Sequence, residues 1–182
     1  PVLSREAQVA LTLRVVAGLT TQEFARLLLV PVATVQQRIV RAKARIRDAQ
    51  IPYQVPARAE LSERLSSVLQ VVYLVFNEGY AASSGEALTR ADLSGEAIRL
   101  ARLLAALQPE PETEGLLALM LLQDSRRAAR TTAAGDVVLL EDQDRALWNR
   151  AQIEEGLALA RRSLASRRIG PYALQAAIAA EH

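Results

Sequence analysis

Cysteine is absent from this sequence of 182 residues, and histidine occurs once, at His182. Without cysteine the chain forms no disulfide, no thiolate nucleophile and no zinc or iron–sulfur site with sulfur ligands. The single histidine, at the last position, also leaves the chain without the most common catalytic base. We therefore expect no enzyme activity, no catalytic residue, no metal site and no cofactor.

Long hydrophobic runs are missing as well. The two longest, Val71 to Phe76 and Leu116 to Leu122, are much shorter than the roughly 18 residues that a membrane-spanning helix needs. The N-terminus has no charged start followed by an apolar stretch and a cleavage site, so we expect a cytoplasmic protein with no membrane contact. The chain begins with Pro1 rather than Met, which suggests a fragment.

Charge is distributed unevenly along the chain. The first 50 residues carry eight basic and three acidic side chains, a net charge of +5, whereas the remainder carries 14 basic and 17 acidic, a net charge of −3. Five of the eight cations lie between Arg38 and Arg47. This concentration favours a polyanionic partner for the first 50 residues only.

Two prolines divide the chain. Pro52 and Pro56 interrupt helical continuity because proline lacks an amide donor and restricts the residue before it. We place a linker at residues 51–58, between an N-terminal domain at 1–50 and a helical C-terminal extension at 59–182. The N-terminal domain is predicted to hold three helices: Ser4 to Ala17 with Gly18 as its stop, Gln22 to Leu29 with Thr20 or Thr21 as its cap, and Val32 to Asp48.

Apolar residues at helical spacing continue through the extension. The predicted helices are one with a buried stripe from Leu61 through Val68 to Phe76, one capped by Asp92 with a stripe from Leu93 to Leu107, and three more at Thr113 to Arg130, Asp144 to Ser166 and Gly170 onwards. Residues 135–144 have some strand character, but the stretch is short and lacks a pairing partner, so we assign it to a loop. The fold class is therefore all-α.

Residues 18–45 have the pattern of a helix-turn-helix. Ala25 provides the small residue at the helix crossing, and Val35 and Ile39 face inward from the second helix, which leaves a polar outer face. Glutamine pairs with adenine and arginine with guanine, while other cations contact phosphates. The predicted DNA-binding residues are Thr34, Gln36, Gln37, Arg38, Arg41, Lys43 and Arg45. The same spacing is also compatible with a small three-helix bundle whose basic helix is merely solvated.

These residues resemble a known family. The stretch LSREAQVALTLRVVAGLTTQEFARLLLVPVATVQQRIVRAKARI is similar to region 4 of bacterial RNA polymerase sigma factors of the extracytoplasmic-function type. The resemblance implies binding of the promoter minus-35 element by the second helix, with Gln36, Gln37, Arg38 and Arg41 facing DNA, and binding of core RNA polymerase through its beta flap. Leu29 replaces the glycine that many relatives place before the turn. The promoter-melting region 2 is missing from this chain.

Residues 60–182 resemble the helical C-terminal extension of one subgroup of these factors, which is described as containing tetratricopeptide-like repeats. The likeness is carried by YLVFNEGYAASSGE, EAIRLARLLAAL, GLLALMLL and GPYALQAAIAA. Relatives commonly have Asp before Gly-Pro-Tyr, where this chain has Ile169. No clear 34-residue period is visible, so we expect an irregular helical domain at the start of such an array, available for regulation or for a protein partner.

Four smaller features have a structural and a functional interpretation. Gly79 is expected to be a left-handed helix cap, although Asn77 to Tyr80 could also form a polar pocket. Asp144 is expected to cap a helix, although Glu141, Asp142 and Asp144 could bind a cation. Trp148 is expected to be a core anchor. Arg126, Arg127 and Arg130 form either the cationic last turn of a helix or an interface for an acidic partner.

Two other functions remain open from the residues alone. One is a response-regulator-like helix-turn-helix that binds operators as a dimer. The other is an enzyme or ligand sensor in the helical half, which would have to rely on carboxylates and tyrosines.

Overall fold

Six helices contain most of the residues that the computed structural model describes. It describes residues 3–4, 7–8, 10–11, 14, 20–22, 25, 30–50, 58–80, 91–166 and 168–182, with only the backbone at 58–59, 61–63 and 91. The helices are α1 (Val32–Asp48), α2 (Arg58–Tyr80), α3 (Ala91–Leu107), α4 (Pro111–Asp124), α5 (Arg150–Ala165) and α6 (Pro171–Ala180). No strand is present in these ranges, and the all-α prediction is confirmed.

Before α1, the described residues 7–8, 10–11, 14, 21–22 and 25 are helical. Ser4 Oγ accepts the backbone N–H of Ala7 at 3.3 Å, as the predicted cap requires. Residues 21, 22 and 25 are helical, and Ala25 is buried. The predictions for Gly18 and Leu29 lie outside the described residues.

Helix α1 has the predicted bounds and the predicted buried stripe. Pro31 lies at its N-cap, where the missing N–H costs nothing because the first amide groups of a helix have no partner within it. Val35, Ile39 and Ala42 are buried. Arg45 and Arg47 are in the last turn, where cations interact favourably with the helix dipole.

Helix α4 is the centre of the extension. Ten of its 14 residues are buried. It packs against α5 and α6 most extensively, and also against α3 and α2, while α2 pairs with α3. A helix that is apolar on all sides needs neighbours on all sides, and α4 has them. Of the helices in the described ranges, none has both the length and the hydropathy needed to cross a membrane.

The connection between α4 and α5 is longer than predicted. Helix α4 ends at Asp124 rather than Arg130, because Ser125 Oγ donates to the carbonyl of Leu122 at 2.7 Å and the chain turns there. Helix α5 begins at Arg150 rather than Asp144, and its cap is Asn149, whose side-chain oxygen accepts the N–H of Gln152. Asp144 instead caps a single 3₁₀ turn, Arg145–Leu147, through the N–H of Ala146.

Residues 135–144, assigned to a loop, contain a 3₁₀ turn at Leu140–Asp142. Their one β-type contact is an isolated bridge between Thr131 and Val137. Gly135 has φ 92°, a left-handed conformation that closes the tight turn before this bridge.

The prediction of a left-handed cap at Gly79 was wrong. Gly79 is buried within α2, which continues to Tyr80. The end of α2 is satisfied from a distant segment instead: Arg130 Nη1 donates to the carbonyl of Tyr80 at 2.6 Å. The Arg130 guanidinium lies 3.5 Å from the centroid of the Tyr80 ring, which itself stacks on Phe76. Burial lowers the pKa of Arg130, and the nearby Arg126 and Arg127 lower it further.

Two residues assigned to buried stripes are exposed. Val68 lies at the edge of the α2 stripe, about 60° from the direction of Leu65. Leu107 is the last residue of α3, where packing against the neighbouring helices has ended.

Candidate nucleic-acid interface

Helix α1 separates a buried stripe from a broad exposed surface. Successive residues of an α-helix point about 100° apart, so Val35, Ile39 and Ala42 share one direction. The side chains of Gln36, Gln37, Arg41, Lys43 and Arg45 are exposed, whereas Thr34 and Arg38 are half-buried. The surface that was predicted to bind DNA is therefore not covered by any described part of the chain.

The seven predicted residues fall into two groups on this surface. Gln37 points nearly opposite the buried stripe, and Arg41 points about 40° from Gln37, in a direction that continues into Thr34, Arg45 and Arg38. Gln36 and Lys43 belong to the other group, about 100° from Gln37. The two glutamines therefore face different edges of the exposed surface, although both were predicted to face DNA.

An apolar strip runs between the two groups. Ala33 and Val40 are exposed and Ala44 is half-buried, and Val40 has 66% of its surface accessible. Val40 was not among the predicted DNA-binding residues. The exposure of Val40 could have been predicted from its position in the helical register, about 100° from the buried Ile39 and on the outward side.

The charges on this helix are nearly all positive. Its one acidic residue, Asp48, pairs with Arg47 at 3.3 Å, and both side chains are exposed. Among the described residues, Arg38, Arg41 and Lys43 have no carboxylate within ion-pair distance. Exposed cations without acidic partners are suited to neutralising phosphates.

The other predicted clusters are structural where the structure describes them. Arg127 begins a 3₁₀ turn, Arg127–Ala129, after the end of α4; it pairs with Asp124 and donates to Ser94 Oγ at 2.5 Å. Gln152 Nε2 also donates to Asp124, at 2.8 Å, which ties α5 to the end of α4. Within the described residues, no three carboxylate or histidine side chains lie together in a way that would hold a metal ion.

A basic, exposed helix that follows a buried small residue and a proline turn is compatible with the helix-turn-helix class of DNA-binding domain. Residues 2–46 match the family described as sigma-70, region 4, a non-enzymatic transcription factor domain, so this part of the chain is sigma-factor-like. Residues 64–164 match a family of unknown function, DUF6596, over more than half of the chain, and the chain belongs to that family.

A relative from Rhizobium meliloti (strain 1021), described as an uncharacterized protein, is 54% identical over 183 residues. The match covers 100% of this chain but 43% of the relative, so the chain spans less than half the length of that curated protein. No solved structure matches the chain.

Proposed function

We propose that this chain is the C-terminal part of an extracytoplasmic-function type sigma factor. In this proposal α1 enters the major groove of the promoter minus-35 element, and neighbouring surfaces of the domain bind the beta flap of core RNA polymerase. The protein then works in the cytoplasm, where promoter and polymerase are. Its mechanism is recognition, without a chemical step.

The observation that supports the proposal best is that Gln37 and Arg41 are both exposed on α1 and point within about 40° of each other, away from Val35 and Ile39. A glutamine amide reads adenine and a guanidinium reads guanine through two hydrogen bonds each. The two side chains are one helical turn apart, so they can reach neighbouring base pairs. Val40 adds an apolar group of the type that contacts a thymine methyl.

The remaining cations are assigned to the phosphates. Arg38 and Arg45 lie with Arg41 on one side of the apolar strip, and Lys43 lies with Gln36 on its other side. Cations therefore border the strip on both sides. Phosphate contacts on both sides of a reading face fix the register of a helix in the groove. Thr34, near the start of α1, is placed to contact the backbone as well.

The extension is proposed to regulate the factor or to bind a protein. Helices α5 and α6 are joined by a short connection and pack on α4, as the helix pairs of a repeat array do. The long connection from Ser125 to Asn149 is unlike the tight turn of a 34-residue repeat. The tetratricopeptide-like description therefore applies best to α5 and α6, as the start of an array.

The test is selection of bound sequences from a random duplex library by the purified chain. We expect enrichment of one asymmetric element, with affinity that falls steeply with salt, because each neutralised phosphate contributes about −0.9 to the slope of log K against log salt. A palindromic element protected by a dimer would favour the response-regulator-like alternative. Absence of any enriched element would contradict the proposal.

The polymerase and extension parts need the full-length protein. We expect it to start transcription from a promoter carrying the selected element and to bind an isolated beta-flap domain. Removal of residues 60–182 is expected to change transcript output. Unchanged output would reduce the extension to a stabilising role.

A further inference from the structure

Helix α5 buries one side and exposes the opposite side. Its buried residues are Gly156, Leu159, Ala160 and Ser163. At about 100° per residue, five exposed residues point within about 80° of one another and nearly opposite the buried side. We call them the outer face of α5: Ala151, Glu154, Ala158, Arg161 and Ala165. No described part of the chain covers this face.

The two charges of the outer face have no ion pair among the described residues. Glu154 and Arg161 are about 10 Å apart along the helix axis, too far to pair with each other. Arg161 also has no acidic residue three or four positions away. Their neighbours in the chain, Glu155 and Arg162, are by contrast each paired with a residue of another helix. The outer face therefore presents one unpaired anion and one unpaired cation.

The order of these charges along α5 is complementary to a reversed copy of the same helix. A two-fold axis that crosses α5 between Leu157 and Ala158 exchanges positions 154 and 161. Glu154 of each copy then lies opposite Arg161 of the other copy, so the pair forms twice, as in any isologous interface. Glu154 and Arg161 point within about 20° of each other, so both lie on the same edge of the contact, as the two-fold requires.

The other three positions of the outer face leave room for the second helix. Ala158 lies beside the two-fold axis, and Ala151 of one copy lies opposite Ala165 of the other. Because all three side chains are single methyl groups, the two helix axes can approach to about 8 Å, the close end of the range for packed helices. At that separation the side chains of Glu154 and Arg161 reach across the contact.

We propose that the outer face of α5 binds a second copy of this chain, with the two α5 helices antiparallel. Charge complementarity favours this partner, because a polyanion would meet Glu154 and a polycation would meet Arg161. One face of a 16-residue helix is smaller than the roughly 1,200 Å² or more that stable interfaces bury. We therefore expect a weak, reversible dimer.

Charge reversal tests the pairing, by sedimentation velocity of the full chain over a range of concentrations. We expect a dimer that weakens with salt, because its ion pairs are exposed. Glu154→Arg alone and Arg161→Glu alone each place like charges at both contacts, and each should weaken association by about tenfold or more. An equimolar mixture of these two variants should associate again, and so should the double variant Glu154→Arg/Arg161→Glu, because both restore opposite charges at each contact.

A second test uses the absence of cysteine from the chain. Ala158→Cys introduces a single thiol beside the two-fold axis, close to the same thiol of the second copy. We expect this variant to form a disulfide-linked dimer under mild oxidation. The matched control is Ala106→Cys, at an exposed position of α3, which should crosslink more slowly. Circular dichroism melting of every variant checks that the fold is retained.

A chain that stays monomeric up to about 1 mM would overturn the proposal, since that affinity corresponds to only about 4 kcal/mol of binding free energy. The same conclusion follows from a dimer that the single reversals leave intact, from a mixture that does not associate, or from equal crosslinking at positions 106 and 158. The proposal names a partner for the extension and does not require α1 to bind DNA. A monomeric chain that still selects a promoter element would reject the α5 pairing alone, and a dimer that selects no element would reject the promoter proposal alone.

Discussion

Glu112, in the first turn of α4, caps Ala173 at the start of α6: its Oε1 accepts the Ala173 N–H at 3.1 Å. Its Oε2 accepts the N–H of Tyr172, also at 3.1 Å. A carboxylate at a helix N-terminus satisfies otherwise unpaired amides and interacts favourably with the helix dipole. The cap therefore comes from α4, and not from position 169, where Ile169 is exposed.

Gly170 leaves the space that this carboxylate occupies. A Cβ at position 170 would lie 2.4 Å from Glu112 Cδ, although the backbone there (φ −114°) suits any residue. Gly170→Ala should therefore displace the carboxylate and destabilise the fold by about 1 to 2 kcal/mol, the usual value of a helix cap. Urea unfolding followed by circular dichroism measures the change.

The pair offers an internal control. Glu112→Ala should cost a similar amount, and Gly170→Ala added to it should cost little more, because the displaced group is already gone. Glu154→Ala, an exposed glutamate of α5, should change stability by less than about 0.5 kcal/mol. Additive losses in the double variant would show that the space at Gly170 is not reserved for Glu112.

Gly115 lies where α4 passes close to the backbone of α6. A Cβ there would lie 2.6 Å from the backbone nitrogen of Ala173, which cannot move without shifting α6. We expect Gly115→Ala to destabilise the extension by about 1 to 3 kcal/mol. Gly95→Ala, inside α3 with no atom within 4 Å of the new Cβ, should instead stabilise by about 0.5 to 1 kcal/mol. Thermal melting distinguishes the two, and a loss at both positions would contradict the packing explanation.

Most helices could be predicted from the sequence, and their closest contacts could not. Helix α1 was predicted with its observed bounds because Pro31 and the spacing of Val35 and Ile39 are local signals. The tight contacts of α4 use Gly115 and Gly156, whose role depends on a neighbouring helix. Hydrophobic periodicity does not identify such residues, since they carry no apolar side chain.

The predicted bounds of the connection between α4 and α5, and the predicted cap at Gly79, were wrong for the same reason. Arg130 binds the carbonyl of Tyr80, 50 positions away, and Asn149 binds that of Ser125, so neither contact has a local signature. On α1 the exposure of Gln37 and Arg41 could be predicted, because it follows from the register of one helix. The exposure of Val40 was not predicted, because an apolar residue in an amphipathic helix is normally assigned to the core.

Arg41 and Lys43 are expected to differ in the kind of binding that they support. Arg41→Ala should cost about 1 to 3 kcal/mol on the selected element and relax the preference at one base pair. Lys43→Ala should weaken all duplexes alike and reduce the salt slope by about 1. Fluorescence anisotropy with the selected and a scrambled duplex measures both. Equal losses on the two duplexes for Arg41→Ala would remove Arg41 from the base-reading residues.

Val40 is expected to read a thymine methyl in the selected element. Its side chain is 66% exposed and lies between the two polar groups of α1. Replacing each thymine in turn by uracil removes one methyl, so wild-type affinity should fall several-fold at one position, in line with about 0.8 kcal/mol per buried methyl-sized group. The variant Val40→Ala should bind the thymine and uracil duplexes at that position about equally, and its unfolding midpoint should stay close to that of the wild type. If the loss of affinity with uracil persists in Val40→Ala, another residue contacts the methyl group. If the wild-type chain tolerates uracil at every position, the apolar strip of α1 does not touch the bases.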